Sequence, residues 1–202
     1  MKKILFSVLT LVLGLVLSGG SCITPVNPPD PLFDEGVDIN GTIWATRNVD
    51  SKGTFASRPE DFGLLYQWNH DFGWQVTGSV SGWVNTESTA TIWGVANNPC
   101  PPGWKVPTKA QLDALVASGG AWGPRSGVSG YTFGVGANII FLPAVGARDK
   151  TGMPSLSGGH YWASEEVTAT PSTAHEISFN ESSVNTSNTM NKCSGASVRC
   201  VK

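Results

Sequence analysis

Cysteine and histidine are the residues of this 202-residue chain with the widest chemical repertoire, and their spacing limits what they can do. The three histidines, His70, His160 and His175, lie far apart, with no pair four residues apart and no HExxH motif. A zinc site of the metalloprotease type needs such spacing, so the pattern favours loop and strand positions over metal ligands. No cofactor is predicted. Calcium binding through loop oxygens stays open without sequence support, because no EF-hand-like loop occurs.

The four cysteines are Cys22, Cys100, Cys193 and Cys200. Cys22 follows an apolar N-terminal run, and the other three lie in the body of the chain. In an oxidising compartment, three cysteines allow at most one disulfide and leave one thiol over. The number of cysteines does not decide which of the three possible pairs forms the disulfide.

The sequence contains no arrangement of residues that is typical of nucleophilic or acid–base catalysis. Residues 127–130 (GVSG) lack the spacing of a G-x-S-x-G nucleophile elbow. The adjacent acids at 60–61 and 165–166 would point to opposite faces of a strand, so neither pair forms a carboxylate dyad. We therefore predict that the protein is not an enzyme.

The eight tryptophans are the other residues with potential for ligand binding. Four lie in strand or helix-start patterns and are predicted to be core residues: Trp44, Trp68, Trp104 and Trp162. The other four lie in Gly/Ser-rich segments and are candidate ligand-contact residues: Trp74, Trp83, Trp93 and Trp122. Exposed rings would stack on sugars, whereas the usual burial of large aromatics favours the alternative that they cover the core beneath long loops.

Few regular elements are available to position these residues. The strongest signal is a helix at about 109–118, because Thr108 and Gln111 fit a capping box and two glycines at 119–120 end the pattern. Residues 71–96 and 182–194 are predicted to be irregular loops. Strands are predicted at 42–49, 64–68, 139–142, 161–163, 175–179 and 198–201. The predicted fold class is therefore α+β, mostly β.

Composition limits the class of protein further. Charged residues make up 14% of the chain and the formal net charge is -2, which counts against the basic stripe that a nucleic-acid binder needs. The 24 glycines and 13 prolines indicate many turns, while the aromatic content of 9% is too high for a disordered chain. A chain of this length is expected to form one compact domain, at about residues 40–202.

The N-terminus has the pattern of an export signal over residues 1–21. Lys2 and Lys3 precede an apolar run at 4–17, and small residues lead to Cys22. The run is shorter than the roughly 20 residues that span a bilayer. The segment resembles a bacterial lipoprotein signal, which implies that Cys22 is lipidated and anchors the protein to a membrane. The alternative is ordinary secretory cleavage that leaves Cys22 as a thiol.

Residues 22–39 are predicted to be a Pro-rich tether, since they contain several prolines and show no clear period. By the same lipoprotein resemblance, Ile23 rather than Asp after the lipidated cysteine implies sorting to the outer membrane. The sequence leaves open whether the domain faces outward or into the periplasm.

Six local motifs follow one another along residues 40–202. They are WATRNV at 44–49, GLLYQW at 63–68, NPCPPGWKVPT at 98–108, FLPAVGAR at 141–148, GHYWAS at 159–164 and SVRCV at 197–201. This set resembles the Fibrobacter succinogenes major paralogous domain family, a group of secreted or lipid-anchored bacterial domains. The CPPGWKVPT and SVRCV segments are its most specific parts.

That family in turn resembles the C-type-lectin-like fold, including its formylglycine-generating-enzyme branch. The resemblance implies a small twisted antiparallel sheet, adjacent chain termini and a long irregular loop region as the ligand face. It also implies a disulfide between Cys100 and Cys200, with Cys193 as the spare thiol. The calcium-dependent sugar site of lectins and the reactive cysteine pair of the enzymes have no counterpart in this sequence, so neither site is carried over.

These observations predict a lipid-anchored binding or adhesion module of the cell envelope that presents a Trp-rich loop face to a glycan or protein partner. Two alternatives stay open. One is a divergent thiol enzyme that acts through Cys193 and Cys200, and the other is a structural subunit of a surface assembly.

Overall fold

The computed structural model describes residues 28–202 of the chain. The predicted signal peptide at 1–21 and the lipidation site Cys22 lie outside the described residues. No helix within the described part is long and apolar enough to cross a membrane.

The folded part of the protein begins earlier than the sequence predicts. Asp34, inside the predicted tether 22–39, is buried and accepts a hydrogen bond from Nε of Arg47 at 3.2 Å. The backbone N–H of Thr46 donates to the same carboxylate at 3.1 Å. A buried carboxylate with these partners fixes its segment to the domain. The tether boundary at residue 39 is therefore too late, and the chain from about Asp30 onward belongs to the domain.

Short strands dominate the described residues, with one α-helix among them. The helix α1 spans Lys109–Ala117, and a 3-10 turn spans Val95–Asn97. The strands are, in chain order, β1 (Val37–Ile39), β2 (Thr42–Trp44), β3 (Leu65–Gln67), β4 (Gly73–Trp74), β5 (Gly120–Arg125), β6 (Val128–Val135), β7 (Asn138–Pro143), β8 (Ala147–Arg148), β9 (Pro154–Ser155), β10 (Gly159–Glu166), β11 (Thr173–Phe179), β12 (Val184–Asn185), β13 (Thr189–Asn191) and β14 (Gly195–Ala196). The predicted α+β, mostly β class is confirmed.

The strands form four antiparallel sheets. The largest has five strands in the order β4-β3-β14-β8-β9. Strand β11 pairs with β10, β12 and β13, while β5, β6 and β7 form a meander and β1 and β2 pair as a hairpin. Because β14 lies between β3 and β8, a segment near the end of the chain completes the centre of the largest sheet.

The helix begins where its sequence predicts and ends at Ala117, one residue before the predicted end. Thr108 accepts a hydrogen bond from the backbone N–H of Gln111 at 3.1 Å, and the Gln111 side chain accepts one from the backbone N–H of Thr108 at 2.9 Å. This reciprocal capping box satisfies N–H groups that the first turn leaves unpaired. Leu112 and Leu115 are almost fully buried, so one narrow apolar face fixes the helix to the core.

Several parts of the strand prediction need correction. The strand predicted at 42–49 ends at Trp44, and the predicted loop at 71–96 contains the two-residue strand β4. Residues 120–135, for which no strand is predicted, form the hairpin β5–β6, because glycines interrupt the alternation of side chains that reveals a strand. Residues 182–194, predicted to be a loop, contain β12 and β13, which are polar strands recruited by pairing with β11. Residues 198–201, predicted to be a strand, make only single bridges, from Val201 to Trp44 and Lys105.

The four predicted core tryptophans are confirmed. Each is at most 5% exposed: Trp44, Trp68, Trp104 and Trp162. The indole N–H of Trp68 donates to the carbonyl of Ala163 at 2.9 Å, and that of Trp162 donates to the carbonyl of Tyr66 at 2.7 Å. Each of these two rings therefore buries its apolar surface without leaving its polar group unpaired.

The two ends of the domain lie side by side. The backbone N–H groups of Ala45 and Val49 donate to the carbonyls of Cys200 at 2.9 Å and Val198 at 3.1 Å. A disulfide joins Cys200 to Cys100, which lies 100 residues earlier in the sequence. The cysteine pairing implied by the family resemblance is confirmed.

Arg199 is fully buried beside this junction. Its guanidinium donates to Oδ1 of Asn48 at 2.7 and 3.0 Å and to the carbonyls of Ala45 at 3.1 Å and Phe141 at 3.0 Å. These acceptors are all uncharged oxygens. Burial lowers the pKa of Arg199, and the surrounding oxygens replace the water that the guanidinium has lost.

Candidate functional site

Buried polar side chains hold the long segment at 69–97 against the largest sheet. Gln67 on β3 is fully buried, and its amide donates to the carbonyls of Val84 at 2.6 Å and Cys193 at 2.7 Å. The same amide accepts from the backbone N–H of Val84 at 3.1 Å. One glutamine thus satisfies loop backbone groups as a neighbouring strand would.

Arg148 on β8 fixes two other stretches of backbone to each other. It is 1% exposed, and it donates to the carbonyls of Gln75 at 2.8 Å and Gly78 at 2.9 Å and also to that of Gly152. Burial lowers the pKa of Arg148, and three carbonyl oxygens provide its replacement solvation. Residues 75–78 and the β8–β9 turn are therefore held in one arrangement.

Lys192 is a third buried anchor of the same segment. Its Nζ donates to the carbonyls of Ser88 at 3.0 Å and Ala90 at 2.8 Å and to Oε2 of Glu166 at 2.7 Å. The ammonium also lies 4.6 Å from the ring centroid of Trp68, a cation–π contact. Apart from β4 and the 3-10 turn, the segment at 69–97 is thus irregular in secondary structure but fixed in position.

An aromatic cluster of Phe72, Trp74 and Trp83 lies within this segment. The ring centroids of Phe72 and Trp74 are 5.0 Å apart, and those of Trp74 and Trp83 are 4.8 Å apart. Trp74 is 8% exposed and Phe72 is 64% exposed. The indole N–H of Trp83 donates to the carbonyl of Lys150 at 3.1 Å, so the cluster is joined to the β8–β9 turn.

An apolar groove of about 280 Å³ begins next to Trp74 in sequence. It is lined by Phe62, Gly63, Gln75, Val76, Thr77, Ala144, Val145 and Leu156. Val76 and Val145 are buried together with Leu65 and form its apolar base. Phe62 and Leu156 are 43% and 64% exposed. No charged side chain of the described residues 28–202 lines this groove, so it suits an apolar group of a ligand.

The largest sheet determines where this groove lies. Strands β4 and β9 are the two edges of that sheet, and Gln75 follows β4 while Leu156 follows β9. Arg148 on β8 donates to the Gln75 carbonyl on one side and to the Gly152 carbonyl of the β8–β9 turn on the other. The groove is therefore bordered by backbone that a buried guanidinium holds in place.

The structure divides the four candidate ligand-contact tryptophans among three places. Trp74 and Trp83 belong to the aromatic cluster. Trp93 is 7% exposed and packs edge-on against Trp68, at a centroid distance of 5.9 Å. Trp122 lies opposite Tyr131 in the β5–β6 hairpin and packs on the core. Only Trp74 and Trp83 are brought together.

A second groove, of about 250 Å³, adjoins Trp93. Ile92 and Val95 line it and are 57% and 93% exposed. Lys105 and Thr108 also contribute to its lining, and Thr108 is engaged in the capping box of α1. The groove contains Trp93, one of the candidate ligand-contact tryptophans, but none of the rings of the aromatic cluster.

His160 on β10 and Glu176 on β11 form a partly buried pair. Nδ1 of His160 lies 3.0 Å from Oε2 of Glu176, whose other oxygen accepts from Nδ2 of Asn188 at 2.9 Å. Burial lowers the pKa of His160, but the hydrogen bond and charge of Glu176 outweigh it, so the pKa is raised overall. The protonated ring therefore stabilises the pairing of β10 with β11.

The contribution of His160 to the free energy of unfolding is expected to fall as the pH rises. Because its pKa is raised on folding, the stabilisation is complete below the ordinary value of 6.5 and is lost as the pH passes the higher folded value. Denaturant unfolding of the wild type and His160→Gln between pH about 5.5 and about 9 measures this difference. A difference that stays constant over that range contradicts the prediction, since other histidines affect both proteins equally.

Cys193 is the free cysteine among residues 28–202 and is 4% exposed. Burial raises its pKa, Glu87 adds to this effect and Lys150 opposes it. Thiol catalysis needs the thiolate, which a raised pKa disfavours. Within the same residues, no group of three or more His, Cys, Asp or Glu side chains lies close enough to hold a metal ion.

Sequence reasoning missed most of the groove. Phe62 and Leu156 lie outside the strands and the helix, Val76 lies between two polar residues, and Val145 lies between an alanine and a glycine. None of them belongs to a periodic pattern, which is the signal by which buried residues are recognised. One signal of this region was available in the sequence, the arginine Arg148 in the FLPAVGAR motif. An arginine that follows a buried strand needs hydrogen-bond partners in the interior, so other segments must pack around it.

Known proteins offer no match to this chain, since no family model, no curated protein and no solved structure matches it. The resemblance to the Fibrobacter succinogenes major paralogous domain family therefore stays a prediction from the sequence motifs. The geometry of the described residues is the basis for the function proposed next.

Proposed function

We propose that the protein is a lipid-anchored binding module of the bacterial cell envelope, without catalytic activity. It engages a glycan or protein partner through the apolar groove and the neighbouring aromatic cluster. The anchor is Cys22 and the destination is the outer membrane, on the strength of the N-terminal pattern. The proposal includes membership of the Fibrobacter succinogenes major paralogous domain family and requires no cofactor and no nucleic acid.

The groove is the observation that carries this proposal. Phe62 and Leu156 line it with exposed fractions of 43% and 64%, and Phe72 of the aromatic cluster is 64% exposed. Clustered exposed hydrophobic side chains on a soluble domain mark interaction sites. Arg148 holds the backbone on both sides, so a ligand would meet a site that is already formed and loses less free energy in ordering it.

Observations on Cys193 bear on the thiol-enzyme alternative. A reactive nucleophile needs a lowered pKa and access to solvent. Cys193 is buried and its pKa is raised, and its predicted companion Cys200 is bound in the disulfide. These properties support a binding role over thiol chemistry.

A groove variant is expected to lose partner binding while keeping its fold. Replacing Phe62 and Leu156 together by serine removes two large apolar contacts, each worth about 1.5–3 kcal/mol when fully buried. Affinity should therefore fall at least tenfold, because ~1.4 kcal/mol corresponds to a factor of ten. Glycan arrays and pull-downs from envelope extracts, with wild type and variant in parallel, identify the ligand and measure the loss.

Val135→Ser is the matched control, because Val135 is 72% exposed and lies on β6, in a different sheet. It should bind as the wild type does, and all proteins should unfold at the same temperature. A folded wild-type protein that captures no specific ligand overturns the proposal. A double variant that binds as tightly as the wild type shows that the groove is not the site.

A further inference from the structure

A third cavity, of about 260 Å³, has a polar lining and lies next to Trp83 of the aromatic cluster. Trp83 connects it to the cluster, because its indole N–H donates to the carbonyl of Lys150 at 3.1 Å. We call this cavity the polar pocket. It is lined by Asn85, Glu87, Lys150, Thr151, Asn191 and Cys193.

The polar pocket contains an oriented pair of side chains. Nδ2 of Asn191 donates to Oε1 of Glu87 at 2.8 Å, and Oδ1 of Asn191 accepts from the backbone N–H of Cys193 at 2.9 Å. The Asn191 amide is therefore fixed in one orientation, and it positions the Glu87 carboxylate in turn. This carboxylate keeps a second oxygen that has no hydrogen bond within residues 28–202.

Two further groups offer complementary hydrogen bonds. The amide of Asn85 and the ammonium of Lys150 make no side-chain hydrogen bond within the described chain, and both side chains belong to exposed residues. The pocket thus presents an acceptor from Glu87, donors from Lys150, and both kinds from Asn85. These three groups come from two segments, the long loop and the β8–β9 turn.

This set of groups selects a class of ligand by charge. The charges of Glu87 and Lys150 cancel, so the lining has no net charge that would favour a phosphate, a sulfate, a metal ion or an amine. A hydroxyl group both donates and accepts, so neighbouring hydroxyls match a carboxylate, an amide and an ammonium side by side. Trp83 is partly exposed, and its hydrogen bond to the Lys150 carbonyl brings an aromatic ring, a group that packs against the C–H groups of sugars, next to this set.

We infer that the polar pocket is a carbohydrate subsite that binds one or two rings of a neutral saccharide, without a metal ion. Its volume is slightly below the volumes of ordinary ligand pockets, which begin at about 300 Å³. This small volume limits the number of sugar rings that the pocket can hold. The inference deepens the proposed function and rests on it for the class of partner, but it concerns a separate cavity, because the polar pocket and the apolar groove have no lining residue in common.

Cys193 provides a local probe of this pocket. Alkylation of its buried thiol by N-ethylmaleimide requires opening of the pocket, so a bound sugar should slow the reaction. The full chain is labelled in a detergent without sugar headgroups, and peptide mapping reads the Cys193 peptide alone. The probes are maltose, cellobiose, mannobiose and N,N′-diacetylchitobiose, with galacturonic acid and glucosamine as charged comparisons.

At least one neutral disaccharide should slow Cys193 alkylation in a saturable way, about elevenfold at ten times its dissociation constant. Asn85→Ala and Glu87→Gln should each raise the dissociation constant at least tenfold, so that protection at the same sugar concentration falls to about twofold or less. Since both residues are exposed, the unfolding temperature should not change. The Phe62→Ser/Leu156→Ser groove variant should keep full protection, which separates this inference from the proposed function.

Three results overturn the inference. One is that no neutral disaccharide protects Cys193 at the highest soluble concentration. Another is that protection survives both Asn85→Ala and Glu87→Gln. The third is that only galacturonic acid or only glucosamine protects, because that would assign the pocket to a charged ligand.

Discussion

Replacing Cys100 and Cys200 together by alanine is expected to lower the free energy of unfolding by up to ~4–5 kcal/mol. The disulfide spans 100 residues of sequence, so breaking it gives the unfolded chain a large gain in entropy. For a domain of this size the loss corresponds to a fall of about 10–20 °C in the unfolding temperature. Denaturant and thermal unfolding of both proteins under oxidising conditions measure it.

Cys193→Ala is the control that distinguishes the effect of losing the cross-link from the effect of losing a buried sulfur atom. Cys193 is 4% exposed and forms no disulfide within residues 28–202, so its substitution removes a buried thiol only. The free energy of unfolding of this variant should be lower by about 1 kcal/mol, which is a typical loss for a single substitution. If it loses as much as the double variant, the stabilisation comes from packing and not from the cross-link.

Arg199→Met is expected to lower the free energy of unfolding by about 3–5 kcal/mol. The methionine fills part of the volume but leaves the Asn48 side chain and the carbonyls of Ala45 and Phe141 without their donor. Buried acceptors without a partner cost free energy because water cannot reach them. Urea unfolding with a comparison of midpoints is the measurement.

Arg125→Met provides the comparison for this substitution. Arg125 lies at the end of β5 with its side chain 48% exposed, and its contact with Glu60 is a long one of 3.6 Å. A surface ion pair of this kind contributes about 0–1 kcal/mol. An Arg199→Met variant that is no less stable than Arg125→Met would refute the role assigned to the buried guanidinium.

Local chemistry made some elements of the fold predictable. The Thr108 capping box specifies the start of α1, and strand patterns around Leu65 and Ile177 specify β3 and β11. The β5–β6 hairpin was not predictable in this way. Its glycines, such as Gly130, have no side chain to alternate, and Gly130 packs its backbone against the ring of Phe141, which only the folded sheet reveals.

The candidate site was less predictable than the fold. The sequence identified Trp74 and Trp83 by their type, and the structure places them together. It assigned Trp93 and Trp122 to the same group because a Gly/Ser-rich context looks alike whether the ring lies on the surface or over the core. The groove and the polar pocket unite residues from distant segments, such as Phe62 with Leu156, and single-sequence patterns do not report such pairs.

The anchoring of the long segment also has a consequence for variation among related chains. Arg148 and Lys192 donate most of their hydrogen bonds to main-chain carbonyl oxygens, and every amino acid has such an oxygen. Side chains on the segment can therefore be exchanged while its path through space is kept. A related protein that retains Arg148, Lys192 and Gln67 can therefore differ in the ligand that it recognises and still keep the same fold.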